Sequence, residues 1–223
     1  MVSVSEIVTF LHTFAPPCLA EDYDNVGLLI GDNKKNIHKV LVTLDTDEAV
    51  AKEAKEMGAD MIISHHPLIF KPLRKIVAED SVSRTAVSLI KNDIALFAMH
   101  TNFDSVKSGL CDLFLDHVGM TKNRAPMEGE SEDGIGRYAE LEVVVPLSSM
   151  LESLKQNFQL SSIRYVGDLD KPVSKIAVCN GGGADFVYRA KELGADCYIS
   201  GEIKYQHARF VYENNIALIE IPH

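Results

Sequence analysis

Two hydrophobic rhythms run along this chain. In "VSEIVTFLHTF", Val4 to Phe14, apolar residues recur three and four positions apart with Glu6 among them, which predicts an amphipathic helix ending before Pro16. Short apolar runs, such as Met61-Ile62-Ile63 and Ile94-Ala95-Leu96, read instead as buried strands. "YAELEVVVP", Tyr138 to Pro146, alternates and then runs apolar, as a strand does. "SSMLESLKQNF" follows as a helix, with Ser148 or Ser149 as its N-cap.

The rhythms repeat. Lys39 to His66, "KVLVTLDTDEAVAKEAKEMGADMIISHH", aligns without a gap on Lys175 to Glu202, "KIAVCNGGGADFVYRAKELGADCYISGE", with 10 identities in 28 positions. Each copy reads strand, turn, amphipathic helix, glycine and second strand, with Gly58 and Gly194 just past the helix, where a left-handed cap costs little. That is a β-α-β unit, and the right-handed crossover rule makes its strands parallel. "NDIALFAMH" and "NNIALIEIPH" then add a further strand to each copy, ending at His100 and at His223. Thr121 to Arg137, "TKNRAPMEGESEDGIGR", is polar, acidic and glycine-bearing, and reads as a connecting loop. The expected architecture is α/β: two related lobes from an internal repeat, roughly 1–120 and 136–223, joined by a polar loop over 121–135. A metal site is expected at the strand carboxyl ends between them.

Composition narrows the setting. At 223 residues, with 46% hydrophobic and 24% charged positions, the chain can bury a substantial core. The first residues lack the basic region of a signal peptide, and no apolar run approaches the length of a membrane span. Cys18, Cys111, Cys179 and Cys197 show neither C-x-x-C spacing nor disulfide-framework density, so a reduced, cytoplasmic location is expected. A net charge of −10 argues against a broad nucleic-acid surface and leaves room for a small anionic or nucleotide substrate.

Candidate chemistry gathers at strand ends, where ligands of open α/β sheets bind. His65 and His66 close one strand ahead of Pro67, His100 closes another with Asp104 four residues on, and His223 closes a third. Neighbouring side chains on an extended backbone diverge, so the adjacent pair suits two ions better than one, with a carboxylate such as Asp104 between them. Mixed imidazole and carboxylate ligands suit Zn, Fe, Mn or Co. "NGGGADF", Asn180 to Phe186, reads either as a tight turn or as a phosphate cradle at a helix N-terminus. Glu202, at the repeat position of His66, and His207 are candidates for a supporting or catalytic role. Asp24 and Asn25 read as a turn, with a place at the mouth of the site as the alternative.

At these residues the chain resembles the NGG-interacting-factor-three-like family, whose members are often labelled GTP cyclohydrolase 1 type 2 homologues. The matching segments are "YDNVGLLIG", "GADMIISHHPLIF", "AMHTNFD", "GIGR", "CNGGGADF", "GADCYISGEIKYQHA" and "IEIPH", spanning Tyr23 to His223. The resemblance implies a two-lobed α/β fold with a dinuclear metal centre, assembled into homohexameric rings. It places metal ligands on His65, His66, Asp104 and His223, and puts His100 in the lining of the site. Tyr23 stands where many members carry tryptophan, and the extra central domain of longer members is absent. The family's last motif is His followed four residues later by Glu, so the sequence ending on His223 implies a truncated chain with one ligand missing.

Three functions of different class follow. In the first, two divalent ions activate water in a hydrolase and His100 shuttles protons. The family label points to GTP, and a phosphoester would use the same ligands. In the second, the protein is a non-enzymatic metal-binding ring that serves as scaffold, metal store or regulatory partner. An anion-binding regulatory module built on Gly181 to Gly183 is a third.

Overall fold

Ser3 starts the first helix through a capping box: its hydroxyl accepts the Glu6 amide, and the Glu6 carboxylate accepts the Ser3 amide. Such local signals set the element boundaries throughout this computed structural model, which describes residues 1–120, 122–129 and 131–223. The residues group into two compact units, Met1–Phe103 and Asp104–His223.

The first unit runs β1 (Val2–Ser3), α1 (Val4–Phe14), β2 (Gly27–Ile30), β3 (Asn36–Ile37), β4 (Val40–Thr43), α2 (Glu48–Met57), β5 (Met61–Ser64), α3 (Ser81–Lys91) and β6 (Ala95–Ala98). Helix α4 (Thr101–Ser105) then leads out of it. Its main sheet has the order β2-β6-β5-β4, with β4, β5 and β6 parallel and β2 antiparallel to β6. Both faces are covered. Ile62 and Leu96 pack with Ala51, Ala54 and Leu89 on one side, while Met61, Ala95 and Phe97 pack with Val4 and Leu11 on the other. Alternate residues therefore serve opposite cores, which is why these strands are apolar at every position. Each large side chain so buried contributes about 1.5–3 kcal/mol.

The second unit continues with α5 (Leu110–His117), β7 (Lys122–Pro126), β8 (Arg137–Pro146), α6 (Leu147–Asn157), β9 (Arg164–Val166), β10 (Pro172–Cys179), α7 (Val187–Glu192), β11 (Cys197–Ser200), α8 (Tyr205–Glu213) and β12 (Ala217–Glu220). Its sheet has the order β7-β8-β10-β11-β12-β9, with β10, β11 and β12 parallel.

The same hydrogen bonds recur in the two units. The Asp60 carboxylate accepts the amides of His38 and Lys39 at 2.7 and 3.0 Å, and the Asp196 carboxylate accepts those of Ser174 and Lys175, both at 2.9 Å. Gly58 and Gly194 both take left-handed φ values, 66° and 72°, at their helix ends.

Two local expectations are corrected. Lys122–Pro126, read as loop, pairs with β8 as an antiparallel strand; the signal is weak because its residues are polar and its order comes from the neighbouring strand. Thr121 and Glu130, from the same stretch, lie outside the described residues. Helix α6 begins at Leu147 with Pro146 in the cap position, so Ser148 and Ser149 fall in its first turn. The Leu147 and Ser148 amides are taken by the carbonyls of Lys171 and Leu169, which removes the need for a side-chain cap.

Candidate metal centre

Strand β5 ends at Ser64, and the backbone bends at His65 and His66 before Pro67. The bend overturns the divergence expected of adjacent side chains, because the pair no longer lies on extended backbone. Their ring centroids are 5.0 Å apart, and the His100 ring, delivered by the end of β6, lies 5.1 Å from His65 and 5.5 Å from His66. Among the described residues these three form a group whose ligand atoms all lie within 4.8 Å of one another. Nitrogens about 2.0–2.1 Å from one zinc ion lie at most about 4.2 Å apart, so a small rotation of the rings separates this arrangement from a chelate.

Each imidazole is held by its Nδ1 atom. His65 Nδ1 lies 2.9 Å from the Met99 carbonyl, His66 Nδ1 2.7 Å from Asp45 Oδ1, and His100 Nδ1 2.9 Å from both oxygens of Asp24. A carbonyl or carboxylate facing Nδ1 requires a proton there, which places the lone pair on Nε2. Metal-binding histidines carry this outer arrangement. The donor set therefore fits a divalent ion.

Asp24 is the least exposed member. Its side chain is wholly buried and accepts the Thr101 amide at 3.1 Å, the Thr101 hydroxyl and the Asn25 amide besides His100. Burial pushes its carboxyl up, but these hydrogen bonds outweigh burial and bring it down to about 2. The buried Asn102 takes the His100 amide on its side-chain oxygen and donates to the Ala15 carbonyl beyond α1. The loop that carries His100 is thereby tied to the first helix.

Asp104 is partly buried on α4, and His223 follows β12 with its Nδ1 3.0 Å from Glu202 Oε1. Glu202, just past the end of β11, has a left-handed φ of 52°. The second unit thus pairs a strand-end histidine with a carboxylate. His207 is buried in the first turn of α8, where its ring accepts the Lys204 amide and lies 2.8 Å from Asp185 Oδ1. That gives it a bracing position.

The glycine run is a tight turn that lets backbone approach these groups. Gly181 has φ +58°, and a Cβ there would come 2.9 Å from His223 Nε2; a Cβ on Gly183 would overlap the Cys179 side chain. The thiols are no competing ligand set: Cys111, Cys179 and Cys197 are buried, and burial pushes Cys111 up to about 12.

Sequence reasoning gave Asp45 no role, and gave Asp24 a turn with a place at the mouth of the site as the alternative. Asp45 was within reach of the strand-end rule, since it lies two residues past β4 in the same parallel set.

The fold and this histidine group define a class: a mixed α/β protein with several sheets and a strand-end site able to hold a metal ion. The chain belongs to the Duf34/NIF3 (NGG1p interacting factor 3) family, whose model matches residues 2–223. It is 41% identical to the GTP cyclohydrolase 1 type 2 homolog of Clostridium perfringens, over all of this chain and 86% of that protein. It is 36% identical to NIF3-like protein 1 of Drosophila melanogaster, over 97% of this chain and 75% of that one. Among solved structures, Staphylococcus aureus protein SA1388 superposes with a TM-score of 0.92 at 29% identity, covering 100% of this chain and 86% of the other. No helix among the described residues is long and apolar enough to cross a membrane.

Proposed function

We propose that this protein binds divalent metal through the strand-end histidines of its first unit and works as a metal-dependent hydrolase. The observation that carries this reading is the convergence of His65, His66 and His100, each held through Nδ1. A bound ion would polarise a substrate oxygen and ease the deprotonation of water at neutral pH. In the fuller form of the proposal two ions are bound. His65, His66, Asp104 and His223 are their ligands, and His100, oriented by Asp24, holds or moves the proton. Zn, Fe, Mn and Co all suit such ligands. The two units are read as copies of one β-α-β motif, supported by the matched Asp60 and Asp196 bonds. A homohexameric ring, implied by the resemblance, is tested by light scattering, and cysteines spaced for neither a disulfide framework nor a C-x-x-C motif favour a reducing, cytoplasmic compartment.

Elemental analysis of protein purified without an affinity tag tests the metal reading. About two ions per chain, lost in His65→Ala and Asp104→Ala while both variants stay folded, is the expected result. Unchanged metal content in both variants would overturn the ligand assignment. The metal-loaded protein is then assayed against GTP, the nucleotide in the relatives' printed name, and against a generic phosphomonoester. Metal without hydrolysis of either would favour the non-enzymatic scaffold or store.

A further inference from the structure

The segment that leaves the His65–His66 pair is irregular, yet its carbonyls are pinned along its length. The Asn25 amide side chain donates to Ile69, the Ser83 hydroxyl to Lys75 at 3.3 Å, and Arg84 to Ala78 at 2.7 Å. A long ordered segment without helix or strand is more often functional than incidental.

It borders a shallow, solvent-open basin of about 540 Å³ lined by Leu68, Phe70, Lys71, Arg74, Lys75 and Asp80, among others. That volume lies in the range of small-molecule sites. Lys71, Arg74 and Lys75 are exposed, and none forms an ion pair among the described residues. Some cations elsewhere are matched, as Arg84 is with Glu48 and Lys107 with Glu132, while isolated ones such as Lys34 and Lys155 form no ion pair among the described residues. The acid in the basin, Asp80, is engaged as the N-cap of α3, accepting the Ser83 amide at 2.8 Å. What sets the basin apart is clustering: three exposed cations fall within five positions of a chain of net charge −10. At physiological salt, charges beyond about 8 Å are screened, so the local cluster decides what binds there.

Phe70 joins this basin to the histidines. It lines the basin, and its ring centroid lies 6.3 Å from His100 and 6.2 Å from Tyr23. We propose that the basin is the anion subsite of the same site and takes the phosphate end of a small phosphorylated substrate. Lys71, Arg74 and Lys75 bind the phosphate, and Phe70 with Tyr23 offers an aromatic edge to the organic part. The inference rests on the hydrolase reading for its link to chemistry, and on the basin alone for the binding.

Inorganic pyrophosphate is the probe, titrated by calorimetry into wild type, K71A/R74A/K75A and the control K34A/K52A/K155A, which removes equal charge elsewhere. The expected result is binding by wild type and control, weakened about tenfold or more in the basin variant, with equal metal content and melting temperature in all three. Repeating the comparison in a His65→Ala background removes the metal's share of the binding, and the basin effect should persist. No binding by wild type, equal binding by the basin variant, or equal loss in the control would each overturn the proposal. Metal retained by His65→Ala would instead overturn the ligand assignment and leave the pyrophosphate comparison standing.

Discussion

Nδ1 of His100 lies 2.9 Å from each carboxylate oxygen of Asp24, although the two residues are 76 positions apart. With its carboxyl held down at about 2, Asp24 is ionised throughout the working range and fixes one tautomer of the imidazole. If His100 handles the proton as proposed, Asp24→Asn should lower hydrolysis by about 10²- to 10⁴-fold while metal content is kept. A fall in metal affinity of about 10- to 100-fold, measured by competition with a chromogenic chelator, would instead place His100 among the ligands.

Arg137 is 2% exposed and fully engaged. It donates to Asp112 at 2.8 Å and to the carbonyls of Ser105, Val106, Gly134 and Gly136. Removing it leaves a buried carboxylate and several carbonyls without their donor. Arg137→Ala should cost about 3–5 kcal/mol in urea unfolding. Arg137→Lys should recover only part, since an ammonium cannot reproduce the planar fork.

The turn at Gly183 has no room for a side chain against Cys179. Gly183→Ala should destabilise the protein by about 1–3 kcal/mol. Combining it with Cys179→Ala should recover part of that loss in thermal melts, and failure of the double variant to recover would place the constraint elsewhere.

Asp60 and Asp196 should make the protein acid-sensitive. Amides of His38 and Lys39 hold the Asp60 carboxyl low against burial; at Asp196 burial is the larger single influence, but hydrogen bonds from Ser174 and Lys175 together outweigh it. A carboxyl lowered on folding contributes stability that is fully present above its unfolded value, about 3.9, and is lost as pH falls through the folded value. Asp60→Asn and Asp196→Asn should each lose roughly 1–3 kcal/mol at neutral pH. Their deficit relative to wild type should shrink as the solution is acidified. A deficit independent of pH would mean that the bonds matter as shape rather than as charge.

What was legible in the sequence was local. The His65–His66 pair stood out because a short apolar run stops at it and Pro67 follows. The parallel strands could be inferred because each β-α-β segment is continuous in the chain. The hold on the imidazoles was not legible: Asp24 meets His100 only after β2 pairs with β6, and no local spacing encodes that pairing. Lys122–Pro126 hid for a related reason, since its strand character comes from β8 rather than from its own residues.

The tethers on the three imidazoles differ in firmness, and that bears on the kinetics of ion exchange. His65 is tied to the Met99 carbonyl, whose own amide bonds back to Ser64, and His100 to a buried aspartate; neither can turn without disturbing the sheet. His66 is tied to Asp45, whose side chain is 67% exposed and open to competition from water. At the proposed ion His65 and His100 would already be ordered, while the exposed hold of Asp45 would leave His66 the readier ring to turn, and its swing would pace ion departure. Substitution at Asp45 should accordingly alter residence time more than equilibrium geometry.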